Sequence, residues 1–425
     1  MSKPTSTGAQ SKGSNLIPMV IIAVLFFIFG FVTWLNGILI PYLKIACQLT
    51  NFQAMFVAFA FYIAYFVMGL PSSWVLKKTG FKNGMMVGLW VMALGSLIFI
   101  PAAAARMYSL FLTGLFVMGT GLTILQTAVN PYVTILGPRE SAAKRISIMG
   151  ICNKMAGSIA PLILAYYILA DGDSFVASLA QMDESSKAVA LNQLAHRVIG
   201  PYSVMTVIFF LLGIGVRYSP LPEIEAESED EMESNGVAAK TSIWQFPHLI
   251  LGVLTLFFYV GAEVIAGDTI IRYGMSLGIE ISKAKVFTSY TLVSMTVAYI
   301  LGIVLIPKVI SQRFALQWSG ILGLIFLMGA VFTTGITSVF FIAILGFANA
   351  LVWPAIWPLA IHNLGKFIKT GSAMLIMAIL GGALLPLLWG KLSDIYGSQH
   401  AYLVLLPSYF LFIYYSIWGY KKKNW

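Results

Sequence analysis

Twelve long apolar stretches recur along this 425-residue chain, and they constrain its fold more than any other feature. Each stretch approaches the length of about 20 residues that an α-helix needs to cross a lipid bilayer. Hydrophobic residues make up 59% of the chain and charged residues only 10%, a composition that does not suit a soluble domain. The sequence therefore predicts an all-α membrane protein with twelve transmembrane helices.

The predicted spans fall into two groups of six. They cover residues 17–43, 52–76, 83–105, 107–136, 146–170 and 198–217, and then 246–271, 286–306, 315–334, 338–361, 371–390 and 401–420. An even number of spans places both termini on one side. That side carries 17 of the 26 Lys and Arg residues and the other side carries 8, with Lys154 inside span 5. The positive-inside rule therefore predicts that both termini are cytoplasmic.

An acidic segment separates the two groups of spans. Seven of the 16 acidic residues lie between Glu223 and Glu233. A solvated hinge is the simple interpretation of this segment, and a regulatory or docking role is the alternative. The predicted organisation is a tail (1–16), a six-helix half (17–217), a cytoplasmic linker (218–245), a second six-helix half (246–420) and a basic tail (421–425).

The two halves repeat short motifs at corresponding places. The matching segments are 26–30 with 257–261, 130–137 with 353–365, and 157–162 with 382–387. Internal repeats of this kind are typical of transporters whose two halves are related by a pseudo-twofold axis. The fold prediction is therefore two pseudo-symmetric halves that enclose a cavity and rock against each other.

Two motifs resemble those of a known transporter family. They are Thr33-Trp-Leu-Asn36-Gly37-Ile-Leu-Ile-Pro41 in span 1 and Gln126-Thr-Ala-Val-Asn130-Pro131 in span 4. Together with segments 257–274, 350–360 and 381–388, they make the chain similar to the fucose/galactose/glucose cation symporters of the major facilitator superfamily. The likeness is greatest to the glucose/galactose branch, which includes N-acetylglucosamine permeases. The resemblance implies a sugar symporter of the bacterial inner membrane.

The sequence departs from this family at two coupling positions. The L-fucose branch carries an aspartate in span 1 and a glutamate in span 4, both tied to proton coupling and sugar binding, whereas this chain has Gly37 and Gln126. The predicted loop 69–82 has the glycine and lysine spacing of the superfamily's signature loop but lacks its aspartate. The resemblance thus implies the class of transport without the same proton pathway.

Only two of the 16 acidic residues, Glu263 and Asp268, fall inside a predicted span, and both lie on span 7. A charge inside the bilayer is costly, so such residues tend to face a cavity and mark the path of an ion or substrate. Their spacing puts them on different faces of a helix, and we expect Gly261 and Gly267 to unwind it so that both face one cavity. The alternative for Asp268 is a position near the outer interface, where Arg272 neutralises it.

Lys154 is the only cation in the middle of a predicted span and a natural partner for Glu263 or Asp268. An ion pair that forms in one state and breaks in the other links cation binding to transport, because H⁺ or Na⁺ competes with the ammonium for the carboxylate. Lys154, Glu263 and Asp268 are therefore the predicted coupling-ion site. The alternative is a static buried pair, or a lysine that extends to the membrane edge.

Amides and aromatic rings inside the spans provide what a neutral sugar needs. Amides bind sugar hydroxyls, and a ring packs against the apolar C–H face of the sugar. The alternative roles are amides that bridge two helices and tryptophans that anchor helices at the interface. The predicted substrate-binding residues are Asn36, Gln126, Asn130, Asn153, Asn349, Trp353, Trp357 and Tyr259, with Trp34 as a further ring.

Several other classes of function are disfavoured. The four histidines form no metal-ligand spacing, and the chain has neither a Walker loop nor a dinucleotide fingerprint, so we expect no enzyme, no metal and no cofactor. The net charge of +10 indicates membrane orientation and not a nucleic-acid surface. We predict a monomeric transporter that imports a neutral hexose (glucose, galactose or N-acetylglucosamine) with H⁺ or Na⁺. The alternatives are an uncoupled facilitator, an antiporter of another solute or, least favoured, a sugar sensor.

Overall fold

The computed structural model describes residues 16–135, 142–222, 242–306, 309–362, 364 and 367–422. The regular secondary structure of these ranges is helical throughout. The acidic residues of the predicted linker lie outside them. Twelve helical spans in the described ranges are long and apolar enough to cross a membrane: Leu16–Ala46, Asn51–Leu76, Lys78–Ala104, Tyr108–Asn130, Ile148–Ile168, Glu184–Tyr218, Pro247–Asp268, Ile281–Leu305, Gln312–Phe332, Gly335–Ala360, Ala373–Tyr396 and Ser398–Ile417. They confirm the predicted all-α, twelve-span fold and are called spans 1 to 12 below.

The predicted loop 69–82 overlaps predicted span 2 (52–76), and most of it is helical. Residues 69–79 continue the helix of span 2, and the chain reverses at Gly80, where φ is +73°. Glycine adopts this conformation without the steric cost that a Cβ would bring. The polar residues that follow span 5 are also helical and form helices Gly172–Leu179 and Glu184–His196, the second of which begins span 6.

Twelve spans, an even number, bring Leu16 and Lys422, the first and last described residues, to the same end of the bundle, called here the terminal end. The opposite end is called the distal end. The helices of spans 1, 7 and 10 each end close to the level of the buried polar residues described below and continue as a second helix. Span 1 breaks at Leu35, span 7 gives way at Thr269 to the helix Ile270–Ser276, and span 10 breaks at Leu351. Interrupted helices are typical of transporter binding sites, because they bring backbone ends and side chains to the cavity.

Glycines set the closest helix crossings in both halves. A methyl group on Gly30 of span 1 would lie 1.8 Å from the carbonyl oxygen of Asn153 in span 5. In the second half, a methyl group on Gly381 of span 11 would lie 1.8 Å from the carbonyl oxygen of Phe257 in span 7. Span 1 therefore crosses span 5 as span 7 crosses span 11, which agrees with the predicted pseudo-symmetry.

Span 7 contradicts the expectation that its glycines unwind it. The helix runs without interruption from Pro247 to Asp268 and breaks only after the carboxylate. Gly261 instead makes room for Leu385, and Gly267 makes room for the ring of Trp34. Both glycines are therefore packing positions.

Candidate functional site

An ion pair joins the two halves in the middle of the bundle. Lys154 of span 5 donates from Nζ to Oε1 of Glu263 in span 7 at 2.6 Å, and the two side chains are only 10% and 12% exposed. Glu263 is one of the two partners predicted for Lys154. Because breaking a buried ion pair leaves an uncompensated charge, the contact holds the two halves together as long as both groups are ionised.

Trp34 fixes the position of the Lys154 ammonium. The ammonium nitrogen lies 4.6 Å from the centre of the Trp34 ring, a cation–π distance. The ring is 2% exposed and fills the space beside Gly157 and Gly267, where an added methyl group would come within 2.3 Å of it. Trp34 therefore packs between the halves and is not free to stack on a sugar.

Asp268 is enclosed and unpaired. Its side chain is 0% exposed, and neither carboxyl oxygen has a hydrogen-bond partner. The alternative, in which Arg272 neutralises Asp268, is not observed, since that guanidinium donates to the Asn51 carbonyl at 3.0 Å and lies 4.4 Å from the centre of the Trp389 ring. Asp268 and Arg272 are one helical turn apart in sequence, which is the right separation for an ion pair. The helix ends between them, however, and Arg272 lies toward the distal end.

The surroundings of Asp268 are also polar and unsatisfied. The Tyr62 hydroxyl and Nδ2 of Asn36 are buried next to each other, and neither makes a well-formed hydrogen bond. Tyr62 lies within electrostatic reach of both Asp268 and Glu263. A group of buried polar atoms that lack partners is a place where a proton, a water molecule or a sugar hydroxyl completes the hydrogen bonding.

The amides predicted in the first half divide into different roles. Gln126 of span 4 donates to the Tyr65 hydroxyl at 3.0 Å and keeps its carbonyl oxygen for another donor. Asn130, one turn further along, is exposed. Asn153 reaches the carbonyl of Phe26 at 3.5 Å, so its amide bridges spans 5 and 1 and fits the structural alternative better than sugar binding.

Span 10 contributes an aromatic surface from the second half. The rings of Trp353 and Trp357 stack with centres 5.5 Å apart, and Tyr259 of span 7 lies 6.4 Å from Trp353. Asn349, just before the break in span 10, is fully buried beside the Tyr409 hydroxyl, and neither of its side-chain polar atoms makes a well-formed hydrogen bond. The second half thus offers rings and an amide, while the first half offers Gln126.

Three tyrosines belong to this site that the sequence analysis did not select. Tyr62 and Tyr65 lie on span 2, and Tyr299 of span 8 lies within electrostatic reach of Glu263. The spacing of Tyr62 and Tyr65 places both on one helix face, which is a signal that the sequence does carry. The described residues contain no group of three or more His, Cys, Asp or Glu side chains that could hold a metal.

A twelve-span bundle with an ion pair buried between its two halves, and with amides and rings in each half, has the architecture of a membrane transporter. The family model of the Major Facilitator Superfamily matches residues 22–379. The chain therefore belongs to the major facilitator superfamily, and within it to the fucose/galactose/glucose transporter family.

Relatives cover nearly the whole chain. A glucose/galactose transporter of Brucella abortus is 34% identical over 422 residues, which are 99% of this chain and 98% of the relative. The L-fucose-proton symporter of Escherichia coli is 30% identical over 394 residues, 92% and 90% of the two chains. The crystal structure of the transporter FucP in the outward conformation has a TM-score of 0.71 at 28% identity and covers 95% of this chain and 98% of that chain.

Proposed function

We propose that this protein imports a neutral hexose by symport with a cation. The relatives named as glucose/galactose transporters support glucose and galactose, and N-acetylglucosamine belongs to the same class of neutral, hydroxyl-rich ring. The excess of Lys and Arg at the terminal end supports a location in the bacterial inner membrane with both termini in the cytoplasm.

The sugar site of this proposal combines both halves. Gln126 binds ring hydroxyls from the first half, while Asn349 does so from the second. Trp353 and Trp357 pack against the apolar face of the ring. Because the ligand contacts both halves, its binding favours states in which they close around it.

The observation that carries the coupling proposal is the ion pair between Lys154 and Glu263. It spans the two halves at the centre of the bundle, so rocking the halves apart at this level must break it. A cation that binds the carboxylate releases the ammonium and lowers the cost of that movement. Ion binding and movement of the halves are then linked through one contact.

We infer that the coupling ion is a proton and that Asp268 carries it in this state. An ionised carboxylate without a donor is strongly disfavoured in a buried site, whereas a protonated one is tolerated. Glu263, whose charge acts on Asp268, is the second acidic group along this path. An Na⁺ ion is the competing choice, and the experiment below separates the two.

Uptake into proteoliposomes tests substrate and ion together. Labelled glucose, galactose and N-acetylglucosamine are each offered with an inward pH gradient, an inward Na⁺ gradient or neither. We expect concentrative uptake of at least one hexose with the pH gradient. Accumulation with Na⁺ alone contradicts the proton assignment, equilibration without accumulation shows an uncoupled facilitator, and no uptake of any of the three contradicts the hexose assignment.

Variants at the ion pair then test the coupling step. Glu263→Gln with Lys154→Gln removes both charges and avoids the unpaired buried ammonium that Glu263→Gln alone would leave, which costs about 3–5 kcal/mol. We expect the double variant to exchange internal for external sugar but to lose gradient-driven accumulation. Glu280→Gln, which changes an exposed acid paired with Lys283 in the same half, is the matched control. Full accumulation by the double variant would show that the pair is only structural.

A further inference from the structure

Two contacts of the same kind join the halves at the distal end. In each, an aspartate of one half accepts hydrogen bonds from the first two backbone N–H groups of a helix in the other half. Asp394, in the last turn of span 11, accepts from Asn51 at 3.1 Å and from Phe52 at 2.8 Å. Asp173, which follows span 5, accepts from Ile281 at 2.5 Å and from Ser282 at 3.0 Å.

These bonds satisfy groups that the helices leave open. The first N–H groups of a helix have no partner within it. At the start of span 2, the Thr50 side chain accepts only from the Gln53 N–H, so Asn51 and Phe52 depend on Asp394. At the start of span 8, the Glu280 side chain caps none of the open N–H groups, and Asp173 accepts from the equivalent pair.

The two contacts are related by the pseudo-symmetry of the halves. Span 2 corresponds to span 8, and span 5 corresponds to span 11. One contact joins the end of span 11 to the start of span 2, and the other joins the end of span 5 to the start of span 8. Arg272 adds a fifth bond at the same end, from its guanidinium to the carbonyl of Asn51. All five bonds run between the halves, and moving the halves apart at the distal end must break every one of them.

We propose that Asp173 and Asp394 are the residues that hold the distal entrance closed, and that transport requires both contacts to break when this end opens. A carboxylate at a helix start is stabilised by the open N–H groups and by the helix dipole. Water replaces these partners when the halves separate, so the contacts favour the closed state while still allowing it to open. The proposal depends on alternating movement of the halves but on neither the sugar nor the coupling ion.

The charge of Asp173 supports this role at neutral pH. Partial burial acts to raise its pKa, but the hydrogen bonds from Ser282 and Ile281 and the charge of Lys285 outweigh burial and hold the pKa below its usual value. The closed state therefore keeps the carboxylate ionised, which is the form that accepts both N–H groups.

Asp171 provides a matched control two residues away. Its carboxylate pairs with Arg197 within the first half and makes no described bond to the second half. Asp171→Asn therefore removes the same charge from the same segment without touching a contact between the halves. Any effect of surface charge alone will appear in this variant as well.

The experiment measures opening of the distal end directly. Spin labels are placed at Ser186→Cys and Ile336→Cys, exposed positions in opposite halves at the distal end, after Cys47 and Cys152 have been replaced by serine. Distances are then measured by double electron–electron resonance on the full-length protein in lipid nanodiscs, without sugar or gradient. We expect Asp173→Asn and Asp394→Asn each to raise the ratio of open to closed protein by about threefold to tenfold, and the double variant by roughly the product.

The control variants decide the result. Asp394→Glu, which keeps the charge, should remain closer to the parent protein than Asp394→Asn does, and Asp171→Asn should not shift the distances. If Asp173→Asn and Asp394→Asn leave the distance distribution as Asp171→Asn does, the two aspartates do not hold the entrance and the proposal is wrong. Since no sugar is present, a failure to transport hexose leaves this result unaffected.

Discussion

The buried polar residues of the site differ in how well their hydrogen bonds are satisfied. Lys154 and Glu263 satisfy each other, whereas Asp268, Asn36 and Asn349 bury polar atoms that have no partner. A buried polar group without a partner costs about 1–3 kcal/mol relative to one that is paired. Such a cost is tolerated where the group serves a ligand or an ion, so the unsatisfied residues are the ones to test for function.

Asn349 gives a prediction in which stability and binding move in opposite directions. Asn349→Leu keeps a similar volume and removes two unpaired buried polar atoms, so we expect a higher melting temperature. If Asn349 binds the sugar, the same variant loses a hydrogen bond to it, and the hexose Kd rises by roughly tenfold, or about 1.4 kcal/mol. Thermal unfolding and equilibrium binding on the same sample check both parts. A stabilised variant with unchanged affinity would assign Asn349 to packing alone.

The stacked tryptophans of span 10 give a second prediction. Trp353→Ala removes the ring that contacts both Trp357 and Tyr259, and we expect the hexose Kd to rise by roughly tenfold, with Trp353→Phe intermediate. Trp318→Ala on span 9, where the residue is 44% exposed and its ring makes a T-shaped contact with Phe314, is the control. Equal losses of affinity in Trp353→Ala and Trp318→Ala would contradict a specific sugar contact at Trp353.

The helices show which features a sequence can predict and which it cannot. Hydrophobic length predicted all twelve spans, because a bilayer sets the same length for each one. It did not predict where spans 1, 7 and 10 break, because a break depends on contacts from other helices, such as the one between Thr269 and Tyr402 at 2.7 Å. The glycines expected to unwind span 7 instead pack against Leu385 and Trp34, which are distant in the sequence.

The close crossings predict which glycines a helix pair cannot lose. Gly30→Ala and Gly381→Ala each place a methyl group 1.8 Å from a backbone oxygen of the crossing helix, so the helices must move apart. We expect each to destabilise the protein by about 1–3 kcal/mol or more, since backbone cannot yield as a flexible side chain does. Gly215→Ala on span 6, where a methyl group meets nothing within 4 Å, should be neutral or slightly stabilising. Thermal unfolding of the three purified variants in detergent makes the comparison.

At the scale of the whole molecule, the proposed mechanism links the charged centre to the distal entrance because both lie on the interface between the halves. The ion pair between Lys154 and Glu263 and the two aspartate contacts all cross the same interface, so one movement of the halves changes all of them. The sequence predicted the central charges by elimination, because acids are rare inside spans. It did not predict Asp173 and Asp394, since an acid at the end of a helix is ordinary and its partner helix is more than 100 residues away.

Opening the distal entrance should therefore change how the protein binds sugar from that side. If the open state is a minor population, the apparent Kd equals the intrinsic value divided by the open fraction. The rise in that fraction expected for Asp173→Asn with Asp394→Asn, roughly tenfold or more, lowers the apparent Kd for hexose offered at the distal side by up to the same factor. Accumulation should slow at the same time, because the closed state is reached less readily after the sugar has bound.

Binding from the distal side and initial rates of uptake are compared in the double variant and in Asp171→Asn. An entrance that opens more often without any gain in apparent affinity would mean that sugar binding does not depend on the opening of this end.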